Sequence, residues 1–456
     1  MLFPTFTFIL AFLPITIIVY FLLSGRNTLF SKLWLITASF VFYAWFNWSY
    51  FFILAGSIVA NYIIAEILYK NRKRFILFFG ILFNILLLGY FKYYDFFVEN
   101  INEVFHVSWP LKHILLPLGI SFFTFQQISF LQQVYSGTLE KRYTFCNYCL
   151  FVCFFPQLVA GPIVLPDEMM SQFEKEENTR PDAQNISRGI YVFSLGLAKK
   201  ILLADFFAVI ADKVFTECSG NFITSWSGAL AYMCQIYFDF SGYCDMAIGI
   251  ALLFNIRLPV NFDAPYKSAD ISEFWRKWHI TLGRFLMTSV YIPLGGNRHG
   301  KFRTCLNLLI TFFISGLWHG ASWLFVFWGM LHGAALVIHR IWSKFLGFSM
   351  PAIAGRVITF VFILLTWIPF RAANWEQCKN VYRGMFAPSS WKVPDIAAMD
   401  YLLFAAGFII IFFFPPVCKA EEKFRPTWYN ALTATGLIVT SMFFFVKYSP
   451  FIYFNF

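Results

Sequence analysis

The stretch Cys305-Leu306-Asn307-Leu308-Leu309-Ile310-Thr311-Phe312-Phe313-Ile314-Ser315-Gly316-Leu317-Trp318-His319-Gly320-Ala321-Ser322-Trp323 runs on to Ile338 without an Asp, Glu, Lys or Arg, yet the run holds two histidines, His319 and His332. One crossing of a bilayer core takes about 20 predominantly apolar residues, so this run is long enough to enter a membrane. An ionisable ring at such depth is costly and marks a functional site by default. The competing reading of His319 is a core histidine bonded to a neighbouring carbonyl.

The rest of the chain is built the same way. Of its 456 residues, 59% are hydrophobic and 13% charged, against about 25% charged in an ordinary soluble domain. Nearly charge-free runs recur at 3–25, 33–65, 75–91, 114–139, 143–166, 189–211, 218–256, 304–339, 357–370, 401–418 and 427–446. The composition reads as one all-α, polytopic integral membrane domain over residues 1–456, with roughly 10–13 transmembrane or re-entrant helices. Pro117, Gly119, Pro156, Gly161, Pro162, Gly316 and Gly320 interrupt apolar runs. Broken backbone at membrane depth survives only when it is buried in protein or faces water, so an internal cavity is expected. Residues 3–23 read as a retained first span, since no basic n-region or small-residue cleavage site marks a signal peptide.

Charge in the loops orients these spans. The net charge of +11 lies in short loops and not in a Lys/Arg-rich arm, which argues for membrane topology and against nucleic acid. Lys70, Arg72, Lys73 and Arg74 place one loop in the cytoplasm, and Arg26 and Lys32 place another there. Two cytoplasmic loops need an even number of crossings between them. The 33–65 run must therefore hold two helices, broken near Asn47-Trp48-Ser49, with the N-terminus and the 92–113 loop outside. The positives of 257–303 put that region in the cytoplasm as well. Within it, Ile271, Trp275, Trp278, Leu282 and Phe285 follow a helical stripe, and Asp270 with Glu273 forms a capping pair. Residues 271–287 are thus predicted to be one amphipathic interfacial helix carrying His279.

Other chemistry-bearing residues are sparse. Cys146, Cys149 and Cys153 share a helix face and read as buried small hydrophobes, not as a metal cluster. Asp239 and Asp245 need partners if buried. Those partners are sought among the 257–303 positives or a histidine, with Ser241-Gly242 breaking the helix between the two carboxylates. Lys199 and Lys200 read as snorkelling at a cytoplasmic helix end, or as contacts to a phosphorylated donor. No Walker loop, GxGxxG, GxSxG or HExxH occurs, which removes nucleotide hydrolysis and serine-elbow chemistry. A neutral imidazole, with an ordinary pKa of roughly 6.5, suits His319 to general-base work.

Five stretches together carry a resemblance. They are LPLGISFFTFQ at 116–126, FPQLVAGP at 155–162, FDFSGYCDMAIG at 238–249, FWRKWHITLGRFLMTSVYIPLGGN at 274–297 and GLWHGASW at 316–323. In this order, over a motif core of about 116–323, the chain resembles the membrane-bound O-acyltransferase (MBOAT) family, in the branch of alginate and peptidoglycan O-acetyltransferases. The resemblance implies a ring of transmembrane and re-entrant helices around a funnel or tunnel. It implies that His319, from the Trp-His-Gly triplet, is catalytic and that His279 lies in the same core. Cys244 stands where serine is usual in that motif.

The resemblance implies acetyl-CoA, or another acyl thioester, as a donor arriving from the cytoplasm, with no bound cofactor and no metal. His319 would take a proton from the acceptor hydroxyl. His279 would join it as a catalytic residue, and Trp318, Trp323, Trp278, Asp245 and Gln126 would contact substrate. The acetyl group is expected to pass to a periplasmic or extracellular acetyltransferase partner and then to a cell-surface or cell-wall polysaccharide, in a protein of the bacterial inner membrane in contact with lipids. The alternative is a proton-coupled transporter or flippase of the same envelope pathway, since broken helices with intramembrane Asp239, Asp245 and His319 also suit proton coupling.

Overall fold

Asparagine caps set the first helix boundaries. The side chain of Asn27 accepts from the Leu29 N–H at 2.8 Å, and that of Asn47 accepts from the Ser49 N–H at 2.9 Å. Each satisfies one of the orphan amides that open a helix. The 33–65 run is accordingly split where the loop charges required. The structure, a computed structural model, describes residues 1–217, 221–387, 398–445 and 451–452. It is all-α and polytopic. Among the described residues there is no strand, only an isolated antiparallel bridge between Phe262 and Trp278.

The helices used below are α1 (Phe8–Ser24), α2 (Thr28–Ala44), α3 (Trp48–Lys70), α4 (Arg74–Phe105), α5 (Ile120–Ser136), α6 (Phe145–Cys153), α7 (Ala183–Ala198), α8 (Asp205–Glu217), α9 (Phe222–Leu252), α10 (Ile271–Lys277), α11 (Ile280–Leu286), α12 (Gly300–His319), α13 (Trp323–Arg340) and α14 (Ala352–Arg371). By length and composition α3, α4, α14 and the stretch Trp323–Phe345 can each cross a membrane, and α1 and α2 are shorter apolar helices. The chain folds as two compact units. One comprises Met1–Ser194, Cys244–Pro259 and Arg425–Gly436, and the other Leu195–Tyr243, Val260–Phe424 and Leu437–Phe456.

In the first unit, α5 packs against both α3 and α4, and α2 packs against α1 and α6. Apolar side chains alone do not specify such contacts in lipid, where tails are as apolar as leucine. A buried polar ladder does. Asn61 and Asn84 exchange side-chain amide bonds at 3.2 and 2.6 Å, Gln127 donates to Ser57 at 3.1 Å, and Tyr148 donates to Gln127 at 3.3 Å. Replacing Asn84 with leucine leaves the Asn61 amide short of a partner. It should cost about 1–2 kcal/mol, read as a lowered thermal midpoint in detergent; an unchanged midpoint would show that the pair is dispensable.

The second unit is organised by the α12–α13 hairpin. Gly316 and Gly320 on α12 and its end, and Gly329 and Gly333 on α13, repeat the same four-residue spacing. A methyl group on Gly316 would strike the Phe325 carbonyl, and one on Gly329 would strike the Phe312 carbonyl. Backbone-to-backbone approach of this kind needs small residues at the crossing. The charge-free run quoted at the outset is therefore two helices, broken at Gly320-Ala321-Ser322. The Ser322 side chain caps the second by accepting from the Leu324 N–H at 3.3 Å.

Two expectations are corrected here. Residues 271–287 do not form one helix. Asp270 caps α10 by accepting from the Glu273 N–H at 2.7 Å, but α10 stops at Lys277, Trp278 is extended, and His279 turns left-handed before α11. Nor do Ser241-Gly242 break a helix, since α9 runs through them. Gly242 instead lies against the Gly196 carbonyl, where an added Cβ would come within 2.8 Å.

Candidate active site

His279 occupies a strained position. Its φ of 45° and ψ of 51° lie in the left-handed region, where a non-glycine residue costs on the order of 1–3 kcal/mol and persists only if its surroundings impose it. Two backbone bonds impose it. The Asp263 N–H donates to the Lys277 carbonyl at 3.0 Å and the Ile280 N–H donates to the Asn261 carbonyl at 3.1 Å, bracketing the Phe262–Trp278 bridge. The Asn261 side chain closes the turn, its Oδ1 accepting from the Thr281 N–H at 3.2 Å and the Thr281 hydroxyl at 3.0 Å. His279 Nδ1 stands 3.2 Å from the same oxygen.

His319 ends α12 and is 3% exposed, and His279 is fully buried. The Trp318 indole contacts both rings. Its centroid is 5.9 Å from the His279 ring and 4.9 Å from the His319 ring. Phe240 of α9 meets His279 edge-on at 4.7 Å. Trp328 of α13 and Phe370 of α14 meet His319 at 4.9 and 5.1 Å. The outcome is two imidazoles in an apolar, aromatic setting, where neutral rings can exchange protons and charge is weakly screened.

His332 extends the row. Its ring lies 4.6 Å from Trp328, and its Nδ1 accepts from Trp275 Nε1 at 3.3 Å. An indole N–H can only donate, so in the neutral ring the proton of His332 sits on Nε2.

The other sequence-predicted residues divide. Trp278 is buried against Phe262, Phe274 and Trp367, with centroids at 5.0, 5.7 and 5.0 Å, which explains its burial by packing. Trp323 opens α13, after the break at Gly320-Ala321-Ser322, and is 53% exposed. Gln126 and Asp245 are buried in the first unit. Asn261, Trp328, Phe370 and Thr281 were not singled out from sequence. The matched glycine spacings of 316/320 and 329/333 were the available signal for Trp328, which adjoins Gly329.

The buried lysine is a further correction. Lys200 does not snorkel. It is 3% exposed and its Nζ lies 2.7 Å from Asp205 and 3.0 Å from Asp239. Asp239 thus finds its partner on α7's continuation, not in the 257–303 region, and it also accepts from the Ile452 N–H at 2.7 Å. Among the described residues, no group of three or more His, Cys, Asp or Glu side chains is placed to hold a metal ion.

The comparisons with known proteins bear on this site. The family model for MBOAT, membrane-bound O-acyltransferase, matches residues 21–374. The chain belongs to that family and is a multi-pass membrane O-acyltransferase, which decides between enzyme and carrier. It is 46% identical over 420 residues to a peptidoglycan O-acetyltransferase of Helicobacter pylori, covering 84% of this chain and 80% of that protein. It is 36% identical over 425 residues to the "probable alginate O-acetylase AlgI" of Pseudomonas aeruginosa, covering 90% and 80%. A teichoic acid D-alanyltransferase of Streptococcus thermophilus is 29% identical over 243 residues, covering 50% of this chain and 57% of that protein.

Proposed function

We propose that the enzyme moves an acetyl group from a cytoplasmic thioester, acetyl-CoA in the simplest case, toward an extracytoplasmic envelope polysaccharide, from the bacterial inner membrane and through a periplasmic or extracellular partner protein. The observation that carries the reading is the pair of buried imidazoles that both contact Trp318. His319 takes the proton of the acceptor hydroxyl. The hydroxyl oxygen attacks the thioester carbonyl, the C–S bond breaks, and the departing thiolate recovers the proton from the imidazolium. His279 is the second group of the pair and shares that proton traffic. Trp318 packs against both rings. The relatives' names, peptidoglycan and alginate acetylation among them, support an envelope polymer as the final acceptor. A partner is favoured because 59% of the chain is hydrophobic and its charges lie mostly in short loops.

The test is incubation of purified enzyme with acetyl-CoA labelled in the acetyl group. Release of free CoA with label appearing on an added acceptor is expected. Intact thioester after prolonged incubation with either acceptor class, polysaccharide or partner protein, would contradict the donor assignment.

A further inference from the structure

The bracket around His279 does more than hold a strained turn. The backbone N–H of Thr281 can only donate, so the Asn261 atom that it meets at 3.2 Å must be the amide oxygen and not the amide nitrogen. The Thr281 hydroxyl donates to that oxygen as well, at 3.0 Å. His279 Nδ1 faces the same oxygen at 3.2 Å. Two lone pairs at that distance would repel, so Nδ1 carries the hydrogen. A neutral imidazole has a single N–H, which leaves the lone pair on Nε2.

We infer that Asn261 is a positioning residue for His279, holding the ring in its Nδ1–H tautomer so that Nε2 is the atom that accepts a proton. This rests on the proposed catalytic role of the pair and assigns His279 a direction within it. The amide does its work through one oxygen shared by three donors, and it reaches the ring from a segment 18 positions earlier in the chain, carried there by the Phe262–Trp278 bridge. Phe240 and Trp318 pack on the ring of His279. Ring contacts of this kind do not choose a tautomer, whereas the Asn261 oxygen facing Nδ1 does. His332 provides an internal contrast. Its Nδ1 accepts from Trp275, so the two buried histidines hold opposite tautomers within one unit.

Solid-state NMR of the full-length enzyme with ¹⁵N-labelled histidine in lipid reads this directly. The signals that vanish in His279→Gln are expected to be those of an Nδ1–H ring, and those that vanish in His332→Gln of an Nε2–H ring. An Nε2–H ring at position 279 would overturn the inference. Kinetics give a second reading. Asn261→Leu should lower kcat by about 10- to 100-fold, by analogy with the loss that follows removal of a partner orienting a metal-ligating histidine, with KM changed less than about threefold. Asn261→Asp keeps an oxygen facing both Thr281 and Nδ1 and should restore turnover to within about tenfold of the parent. Equal loss in the Leu and Asp variants, with the tautomer unchanged in both, would make Asn261 a purely structural residue. Should His279→Gln retain full turnover while its ring proves to be Nδ1–H, the geometry of Asn261 stands and the catalytic reading of His279 fails. If Asn261→Leu does not accumulate, the spectra of the parent and the two histidine variants decide alone.

Discussion

Alanine in place of His319 should lower acetyl transfer by about 10²- to 10⁴-fold, the range that a positioned acid–base group contributes, while folded protein persists. His319 is the last residue of α12 and is packed by Trp318, Trp328 and Phe370. Truncation there removes a buried ring and leaves a cavity, which costs stability as well as chemistry. A glutamine variant separates the two effects. It retains volume and hydrogen-bonding atoms but offers no nitrogen that takes up a proton near neutral pH. Both variants, normalised to the amount that elutes as monodisperse protein in detergent, should be inactive to a similar degree. Normal label transfer by His319→Gln would show that the imidazole at this position does no proton transfer. A loss confined to His319→Ala would reduce His319 to a packing residue.

Methionine in place of Lys200 should have the largest effect on stability. Lys200 sits in a π-helical turn, Lys199–Ala204, with its ammonium between Asp205 and Asp239. Such turns break the regular hydrogen-bond ladder and recur at sites under functional demand. Removing one partner of a buried ion pair leaves uncompensated charge and typically costs about 3–5 kcal/mol. Here two carboxylates lose their common cation. One of them, Asp239, also anchors the Ile452 N–H, and the adjoining Phe451 stacks on Tyr243 at 4.8 Å and meets Phe240 at a tilt at 5.9 Å. Phe240 in turn bears on His279. The Lys200→Met protein should therefore accumulate poorly and unfold at a much lower temperature, and adding Asp239→Asn should recover part of the loss by removing one orphaned charge. A thermal midpoint equal to that of the parent would show that the cluster is solvated and not a buried triad.

Local signals in the sequence located what local physics decides. The break at Asn47 follows from loop charge and from an asparagine that caps the next helix. The Asp270–Glu273 cap is equally local. His319 and Trp318 were legible because an ionisable ring in a charge-free run is anomalous wherever it occurs. What escaped was long-range. The 4-3-4-3 stripe over 271–285 continues through Trp278 and His279 as though the helix did, and the turn that interrupts it is imposed by Asn261 and Asp263 from another segment. Gly242 reads as a breaker in isolation, yet it serves close approach to Gly196. Lys200 looks like a helix-end lysine until the fold sets Asp239 beside it.

The central claim is that the acyl carbon reacts beside the His279–Trp318–His319 group. An experimental structure of the enzyme with a non-hydrolysable thioether analogue of acetyl-CoA tests it most directly. The expected result places the carbon that mimics the thioester carbonyl where an acceptor hydroxyl oxygen fits between it and an imidazole nitrogen of His319 or His279. An analogue bound with that carbon elsewhere, and with both imidazoles sealed from it by Trp318, Trp328 and Phe370, would contradict the account.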